Sequence, residues 1–205
     1  MTVNLQKGQR VDLTKGNAGL NKIRVGLGWD PVQQKSSGGL FGGLFGGGGS
    51  KAANVDCDAS VILLKDDRLS GKQDVIYFGN LSGANGAVTH SGDNLTGAGE
   101  GDDEQVVIEL KSIPAEYNRL IFVVNIYQAA ERQQHFGMIH NAFIRVVDVS
   151  TNEQLLKYNL SDDYSGQTTL ITGEIYRHEN DWKFAAIGTG TKDNSLSEVI
   201  KKYQA

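Results

Sequence analysis

Short stretches of alternating apolar and polar residues recur along most of this chain, and they constrain its fold more than any other feature of the sequence. Such alternation is typical of strands that bury one face, and turn-forming residues separate the stretches. About ten short strands of this kind predict an all-β fold, mainly an antiparallel β-sandwich with a few short helices and a short C-terminal helix. The predicted strands are two short ones within residues 3–13, then residues 22–29, 55–64, 74–78, 105–110, 120–127, 142–149, 154–160, 168–177 and 182–188.

The arrangement of these strands can be partly predicted. Residues 120–127 form the most apolar stretch, so this strand is expected to lie at the centre of a sheet. The two short strands within residues 3–13 are expected at sheet edges. Turn residues between matched strands predict one hairpin across residues 142–160 and another across residues 168–188.

Helices are expected to be few and short. Residues 112–117 begin with a cap-like Ser and Pro and predict one helical turn, and residues 128–134 are polar and compatible with another short helix. Near the C-terminus, Ser195 and Glu198 have the spacing of a capping box. They predict a short helix within residues 195–203.

The composition narrows the class of protein and its surroundings. The 205 residues suffice for one well-buried domain, residues 1–205, in which residues 31–54 form a Gly-rich insertion loop. The net charge of −4 argues against a nucleic-acid partner, which requires a basic surface, and makes cations the expected partners. The lone Cys57 cannot form an internal disulfide, and residues 1–7 lack the apolar run of a secretory signal. A reducing, cytoplasmic location is therefore expected.

Residues 90–104 form a glycine-rich acidic segment whose composition suits a hard cation. Four glycines allow the backbone to turn its carbonyl groups inward. The segment supplies the carboxylates of Asp93, Asp102, Asp103 and Glu104. Oxygen ligands of this kind, without a dominant thiol or imidazole, favour Ca²⁺ over softer metals. The alternative interpretation is a solvated acidic loop that binds no ion.

Known calcium-loop and phosphate-loop patterns do not describe this segment. Asp93 and Glu104 fit the first and last positions of an EF-hand loop, but Leu95 and Gly97 occupy positions that require ligand side chains. A single glycine-aspartate unit cannot build a β-roll, which needs several stacked copies. The adjacent acids would repel a bound phosphate. Any calcium site here must therefore have another architecture.

A second pair of acids begins the strand predicted over residues 55–64. Strand alternation places Asp56 and Asp58 on one face, where they repel each other unless a cation lies between them. Solvent exposure at a strand end is the alternative. The two acids are expected to raise the pKa of Cys57, which makes it a poor nucleophile. The four histidines lack zinc-type spacing, so no catalytic site is predicted.

Residues 31–54 differ abruptly in composition from the rest of the chain. They contain a tandem Gly-Gly-Leu-Phe repeat followed by polyglycine. Such a segment is typical of a flexible spacer, and lengthening a loop costs little stability. The alternative is that its two Leu-Phe pairs contact an apolar groove or a membrane surface.

Several motifs in combination resemble the bacterial tellurium-resistance TerD family of stress proteins, over nearly the whole chain. They are residues 25–30 (VGLGWD), 56–60 (DCDAS), 89–97 (THSGDNLTG) with 101–104 (GDDE), 136–137 (FG) with 141–145 (NAFIR), and 173–178 (GEIYRH) with 182–184 (WKF). The resemblance implies a calcium-binding β-sandwich that acts in tellurite and general stress responses without an established catalytic activity. The chain departs from the family pattern in its Gly-Leu-Phe insertion and at residues 55–58, where Phe-Asp-Leu-Asp is expected.

The resemblance also implies a set of calcium ligands. Carried over to matching positions, the candidates are Asp30, Asp56, Asp58, Asp93, Asn94, Asp102, Asp103 and Glu104. Backbone carbonyls around Leu95 and Gly97, together with water, are expected to complete the coordination. If the strand ends lie beside the acidic segment, seven carboxylates gather without compensation, and two Ca²⁺ ions would offset four of their charges. Two neighbouring calcium sites are therefore predicted.

The leading functional hypothesis is a calcium-ordered structural or scaffolding module, not an enzyme, that presents a surface to other stress or tellurium-resistance proteins. The Leu-Phe pairs leave open a peripheral position at the inner membrane surface. The alternative is a small-ligand or nucleotide-binding protein that uses bound calcium as a bridge. A metal-dependent hydrolase is a third hypothesis, but it needs an open coordination position and a base that the sequence does not reveal.

Overall fold

Two β-sheets face each other across one apolar core, as the alternating sequence predicts. The computed structural model describes residues 2–31, 55–92 and 101–204. Half of the described residues are in strands, and they form thirteen strands and two α-helices. The strands are β1 (Val3–Leu5), β2 (Arg10–Asp12), β3 (Lys22–Pro31), β4 (Cys57–Leu64), β5 (Val75–Ile76), β6 (Ser82–Gly83), β7 (Val88–His90), β8 (Glu104–Glu109), β9 (Arg119–Ile126), β10 (Ile139–Asp148), β11 (Gln154–Asn159), β12 (Thr169–His178) and β13 (Asp181–Thr191).

The chain crosses between the two sheets several times. A seven-stranded sheet has the order β1-β11-β10-β3-β8-β7-β6, and a six-stranded sheet has the order β2-β13-β12-β9-β4-β5. Among the described residues the pairing of β1 with β11 is the only parallel one. The first two strands lie at the edges of different sheets, and β9 lies inside the six-stranded sheet, as predicted. Both predicted hairpins, β10–β11 and β12–β13, are confirmed.

The six-stranded sheet buries both of its faces. Val61 in β4 and Phe122 in β9 point into the core between the sheets. Ile62 and Ile121, one position along each strand, belong to a second apolar cluster on the outer face of that sheet. Burial on both faces explains why β4 and β9 are the most continuously apolar strands.

The outer cluster is covered by the predicted C-terminal helix, α2 (Leu196–Lys201), whose Val199 is fully buried there. The capping role of Ser195 is confirmed, whereas the reciprocal bond of the predicted capping box goes to Asn194 instead of Ser195. The Ser195 hydroxyl accepts a hydrogen bond from the Glu198 N–H at 3.3 Å, and the Glu198 carboxylate accepts one from the Asn194 N–H at 2.8 Å. The other helix, α1 (Ala129–Arg132), lies within the predicted range. Neither described helix is long and apolar enough to span a membrane.

The helical turn predicted over residues 112–117 is wrong, because this segment forms consecutive turns. Its carbonyl groups have another partner. The Arg177 guanidinium donates hydrogen bonds to the carbonyl of Ile113 at 2.8 Å and to that of Tyr117 at 3.0 Å. The long-range contact with β12 therefore holds the segment in a non-helical path.

Candidate metal centre

One end of the sandwich collects acidic side chains from both sheets. In the seven-stranded sheet Leu27 of β3 pairs with Glu104 of β8, so the last residues of β3 lie beside the first residues of β8. In the six-stranded sheet Asp58, near the start of β4, pairs with Asn125, near the end of β9. The two strand ends meet where the Ala59 N–H donates a hydrogen bond to the Glu104 carboxylate at 2.6 Å. The described acids at this end, called the acidic end below, are Asp30, Asp56, Asp58, Asp102, Asp103 and Glu104.

Asp103 lies close to several other carboxylates. Its Oδ2 atom accepts a hydrogen bond from the Trp29 N–H at 2.7 Å. Burial raises the pKa of the Asp103 carboxyl above its usual value, and the Trp29 hydrogen bond only partly opposes this. The nearby carboxylates of Asp30, Asp102 and Glu104 raise the pKa of Asp103 further. A bound cation would relieve this repulsion.

Cys57 lies within electrostatic range of acids from both sheets. Burial raises the pKa of this thiol well above its usual value. The carboxylates of Asp58, Asp56, Glu104 and Asp103 raise the pKa further, in that order. Asp58 lies in β4 and Asp56 directly before it, whereas Glu104 lies in β8 and Asp103 directly before it. The predicted rise in the pKa of Cys57 is therefore confirmed. A raised pKa disfavours the thiolate, which is the reactive form of cysteine.

Glu104 has a structural role that the sequence did not suggest. Strand β4 pairs with β5 only at Val61 and Ile62, which leaves the backbone of Ala59 at an open sheet edge. The buried Glu104 carboxylate accepts the Ala59 N–H, and the Nε2 atom of His90 lies 3.2 Å from the Ala59 carbonyl oxygen. Two side chains from the seven-stranded sheet thus replace the missing strand.

The hydrogen bonds of His90 define its tautomer. Its Nδ1 atom accepts a hydrogen bond from the Gly92 N–H at 3.0 Å, so the proton of a neutral ring is on Nε2. This Nε2 atom lies 3.2 Å from the Ala59 carbonyl oxygen and 3.4 Å from the Glu104 carboxylate. His90 is therefore a buried histidine with polar partners, as expected for a structural rather than a catalytic histidine.

Asp102 is ion-paired, contrary to the expectation of seven uncompensated carboxylates. Its fully buried side chain accepts a hydrogen bond from the Arg145 guanidinium at 2.6 Å and a weaker one from Gln105 at 3.4 Å. The carboxylate lies directly over Gly26, where an added Cβ atom would be 2.1 Å from the Asp102 Cγ atom. Arg145 thus neutralises one of the predicted ligands.

Asp30 and Asp56 lie nearer to solvent. The exposed Asp30 carboxylate accepts a hydrogen bond from the side-chain amide of Asn141 at 2.8 Å. Asp56 lies 3.5 Å from the Arg132 guanidinium, which is a long contact for an ion pair. These two carboxylates are more accessible to a cation than Asp102 or Glu104.

The described residues alone do not form a complete metal site. Within residues 2–31, 55–92 and 101–204, no group of three His, Cys, Asp or Glu side chains could hold a metal ion. Four of the predicted ligands, Asp93, Asn94, Leu95 and Gly97, lie outside the described residues, as does most of the 31–54 insertion. The described part of the acidic end therefore supplies hard oxygen donors from two sheets but not a closed coordination shell.

Together these features define a two-sheet β-sandwich with an acidic end. The TerD domain family matches residues 1–203. The chain belongs to the TerD family of tellurium-resistance and stress-response proteins.

Curated relatives agree with this assignment. The chain is 57% identical to the stress response protein SCP2 of Bacillus subtilis (strain 168) over 99% of its own length and 100% of the relative. It is 40% identical to the tellurium resistance protein TerD of Serratia marcescens, with 99% and 97% covered. A solved TerD homologue from Streptomyces coelicolor superposes with a TM-score of 0.65 at 21% identity, covering 91% of this chain and 99% of that one. This structural likeness supports the fold.

Proposed function

We propose that this chain is a calcium-binding stress-response protein whose acidic end is ordered by the ion and then serves as a scaffolding surface, without catalysis. The crowding of Asp103 carries the proposal. Its pKa is raised by burial and by three neighbouring carboxylates, although the side chain keeps a backbone hydrogen bond. A nearby divalent cation would stabilise the ionised form of a carboxylate that is crowded in this way.

The donor chemistry favours Ca²⁺ over other metals. The carboxylates of Asp30, Asp56, Asp58 and Asp103 are hard oxygen donors, which suit a large cation that accepts many ligands. Cys57 is a poor thiolate ligand because its pKa is raised well above its usual value. Asp102 and Glu104 already have strong partners, so their part in binding is secondary.

The proposed number of ions stays at two, because two Ca²⁺ ions would balance the charges of the four described carboxylates other than Asp102 and Glu104. Ligands from Asp93, Asn94, Leu95 and Gly97 remain predictions.

The proposed partners are other stress or tellurium-resistance proteins. We propose a cytoplasmic location, which suits the free, buried Cys57 thiol.

Calorimetric titration of the full chain with Ca²⁺ and with Mg²⁺, at fixed ionic strength, tests the proposal. We expect saturable calcium binding that is at least several-fold tighter than magnesium binding, because octahedral Mg²⁺ is less tolerant of an irregular carboxylate set. Asp66→Asn is a matched control, since Asp66 is an exposed acid beyond the opposite end of β4. The proposal would be contradicted if the titration detected no calcium binding. It would also be contradicted if Asp66→Asn weakened calcium binding as much as substitutions of the acids at the acidic end.

A further inference from the structure

A pocket of about 760 Å³ opens on the outer face of the six-stranded sheet, away from the core. Its walls come from α1, α2 and the segment around residues 72–80, and its floor comes from the ends of β4 and β9. Sites for small organic ligands usually have volumes of roughly 300–1,000 Å³. The size of this pocket therefore suits a small molecule rather than a single ion.

Three polar side chains interrupt the apolar outer face at the floor of this pocket. Strand alternation directs Asp58 and Ser60 to the same face as Ile62, and Asn125 to the same face as Val123. Asp58 and Asn125 are cross-strand partners, and the Asn125 amide donates a hydrogen bond to the Asp58 carboxylate at 3.4 Å. The sheet thus builds one polar cluster under the pocket.

Two atoms of this cluster lack a hydrogen-bond partner in the described part of the chain. Ser60 is 2% exposed and Asn125 is 7% exposed, yet neither the Ser60 Oγ nor the Asn125 Oδ1 atom has a partner there. Buried polar atoms are almost always hydrogen-bonded, because leaving one unpaired lowers stability. Two such atoms side by side at the floor of a pocket indicate a ligand that supplies the missing donors.

Aromatic rings line the mouth of the same pocket. Phe78 is 45% exposed and Tyr127 is 41% exposed, an unusual degree of exposure for large apolar side chains, and both line the pocket. Tyr77 packs edge-to-face against Phe78 with ring centroids 5.3 Å apart. The Arg132 guanidinium already lies 5.0 Å from the Tyr127 ring centroid, within the range of cation–π attraction.

The polar groups determine which head group fits. The Asp58 carboxylate, the Asn125 Oδ1 atom and the Ser60 hydroxyl can all accept hydrogen bonds, and an ammonium group offers three donors with a positive charge. Among the described residues, Asp58 and Glu131 line the pocket together with one cation, Lys72, so an anionic head group is disfavoured. We propose that this pocket binds a small organic cation, with its ammonium group on the polar floor and its apolar body between Phe78 and Tyr127.

The test uses three probes that share one phenyl body: 2-phenylethylamine, 2-phenylethanol and 3-phenylpropanoate. The amine is protonated at neutral pH, as a lysine side chain is. Amide resonances of the full chain are followed during titration. We expect saturable shifts in β4, β9 and α2 with the amine, and at least several-fold weaker binding of the alcohol and the acid. Equal binding of all three, or no saturable shift with the amine, would overturn the proposal.

The titration is performed with a calcium chelator, because Asp58 also belongs to the proposed calcium-binding end. Binding of the amine without calcium then supports the pocket whatever the outcome of the calcium titration. Likewise, calcium binding without amine binding would refute the proposed ligand pocket but not the proposed calcium-binding end.

Two floor variants separate a binding role from a structural one. Ser60→Ala removes an unpaired polar atom, so the melting temperature without ligand should stay the same or rise. Asn125→Leu also removes the hydrogen bond to Asp58, so it tests the affinity only. The affinity of both variants for the amine should fall by about tenfold, the loss typical of one hydrogen bond to a charged group. A Ser60→Ala protein that melts lower yet binds the amine as before would refute the assignment.

Phe78→Ser, at the mouth of the pocket, should weaken amine binding. Val149→Ser is its control, because Val149 is an exposed apolar residue outside the pocket.

Discussion

At the scale of single residues, the adjacent acids Asp102 and Asp103 have opposite environments. Asp102 is paired with Arg145, whereas Asp103 is surrounded by other carboxylates. Asp103→Asn should therefore raise the melting temperature of the calcium-free protein by about 2 °C, since the amide oxygen can still accept the Trp29 hydrogen bond. The same variant should show a smaller stabilisation by calcium. Thermal unfolding with chelator and with excess Ca²⁺ measures both effects. A lower melting temperature with chelator would contradict this account of Asp103.

Asp102→Asn should behave differently from its neighbour. It leaves the half-buried Arg145 guanidinium without its carboxylate, and we expect a loss of about 1–3 kcal/mol in the free energy of unfolding. Urea denaturation with chelator present measures this loss. Arg145→Met combined with Asp102→Asn should recover part of it, because the unpaired charge is then removed. If Asp102→Asn left stability unchanged but abolished calcium binding, Asp102 would be a ligand, as the sequence first suggested.

At the scale of elements, the part of the β4 edge that pairs with no strand depends on two side chains from the opposite sheet. Glu104→Ala should cost about 2–3 kcal/mol, because the buried Ala59 N–H loses its acceptor. Hydrogen exchange at the Ala59 amide should become much faster. Glu109→Ala, on the same strand, is the matched control, since Glu109 contacts Lys22 and Ser112 at the surface and should change little. Unchanged protection of Ala59 in Glu104→Ala would refute the edge-closing role.

The insertion is an element that only the sequence describes, since residues 32–54 lie outside the described residues. If residues 36–50 act as a spacer, their deletion should leave calcium affinity and melting temperature nearly unchanged, because loop length contributes mainly closure entropy. Calorimetry and thermal unfolding of the deletion variant measure this. Recovery of the parent, but not of the deletion variant, in membrane fractions would favour the Leu-Phe contact hypothesis instead.

At the scale of the whole molecule, local patterns predicted the strands well. Alternation and turn residues marked the edge strands and both hairpins, and the apolar run of residues 120–127 marked the central β9, because each signal depends on residues that are close in sequence. The contacts of Asp102 and Glu104 could not be predicted in this way. Arg145 and Ala59 reach these acids only after the sheets pair and stack, more than forty residues away in the chain. Without that register, each acid looked like a free carboxylate.

The outer pocket was missed for a related reason. Ser60 and Asn125 are ordinary polar residues in the sequence, and nothing nearby distinguishes them from surface positions. Their significance appears only when β4 pairs with β9 and α2 covers the rest of the outer face. A polar interruption in two neighbouring, otherwise apolar strands was the available signal.

The central claim is that acids from both sheets share one calcium-binding end. A double-mutant cycle of calcium affinity with Asp56→Asn, Asp103→Asn and the combined variant tests it most directly, at fixed ionic strength. Asp56 belongs to the β4 side and Asp103 to the β8 side, so only the folded sandwich can couple them. We expect each substitution to weaken calcium binding and the two losses to be non-additive, because the second acts on a site that the first has already weakened. Strictly additive losses, or an Asp56→Asn protein that binds calcium like the parent, would contradict the shared site.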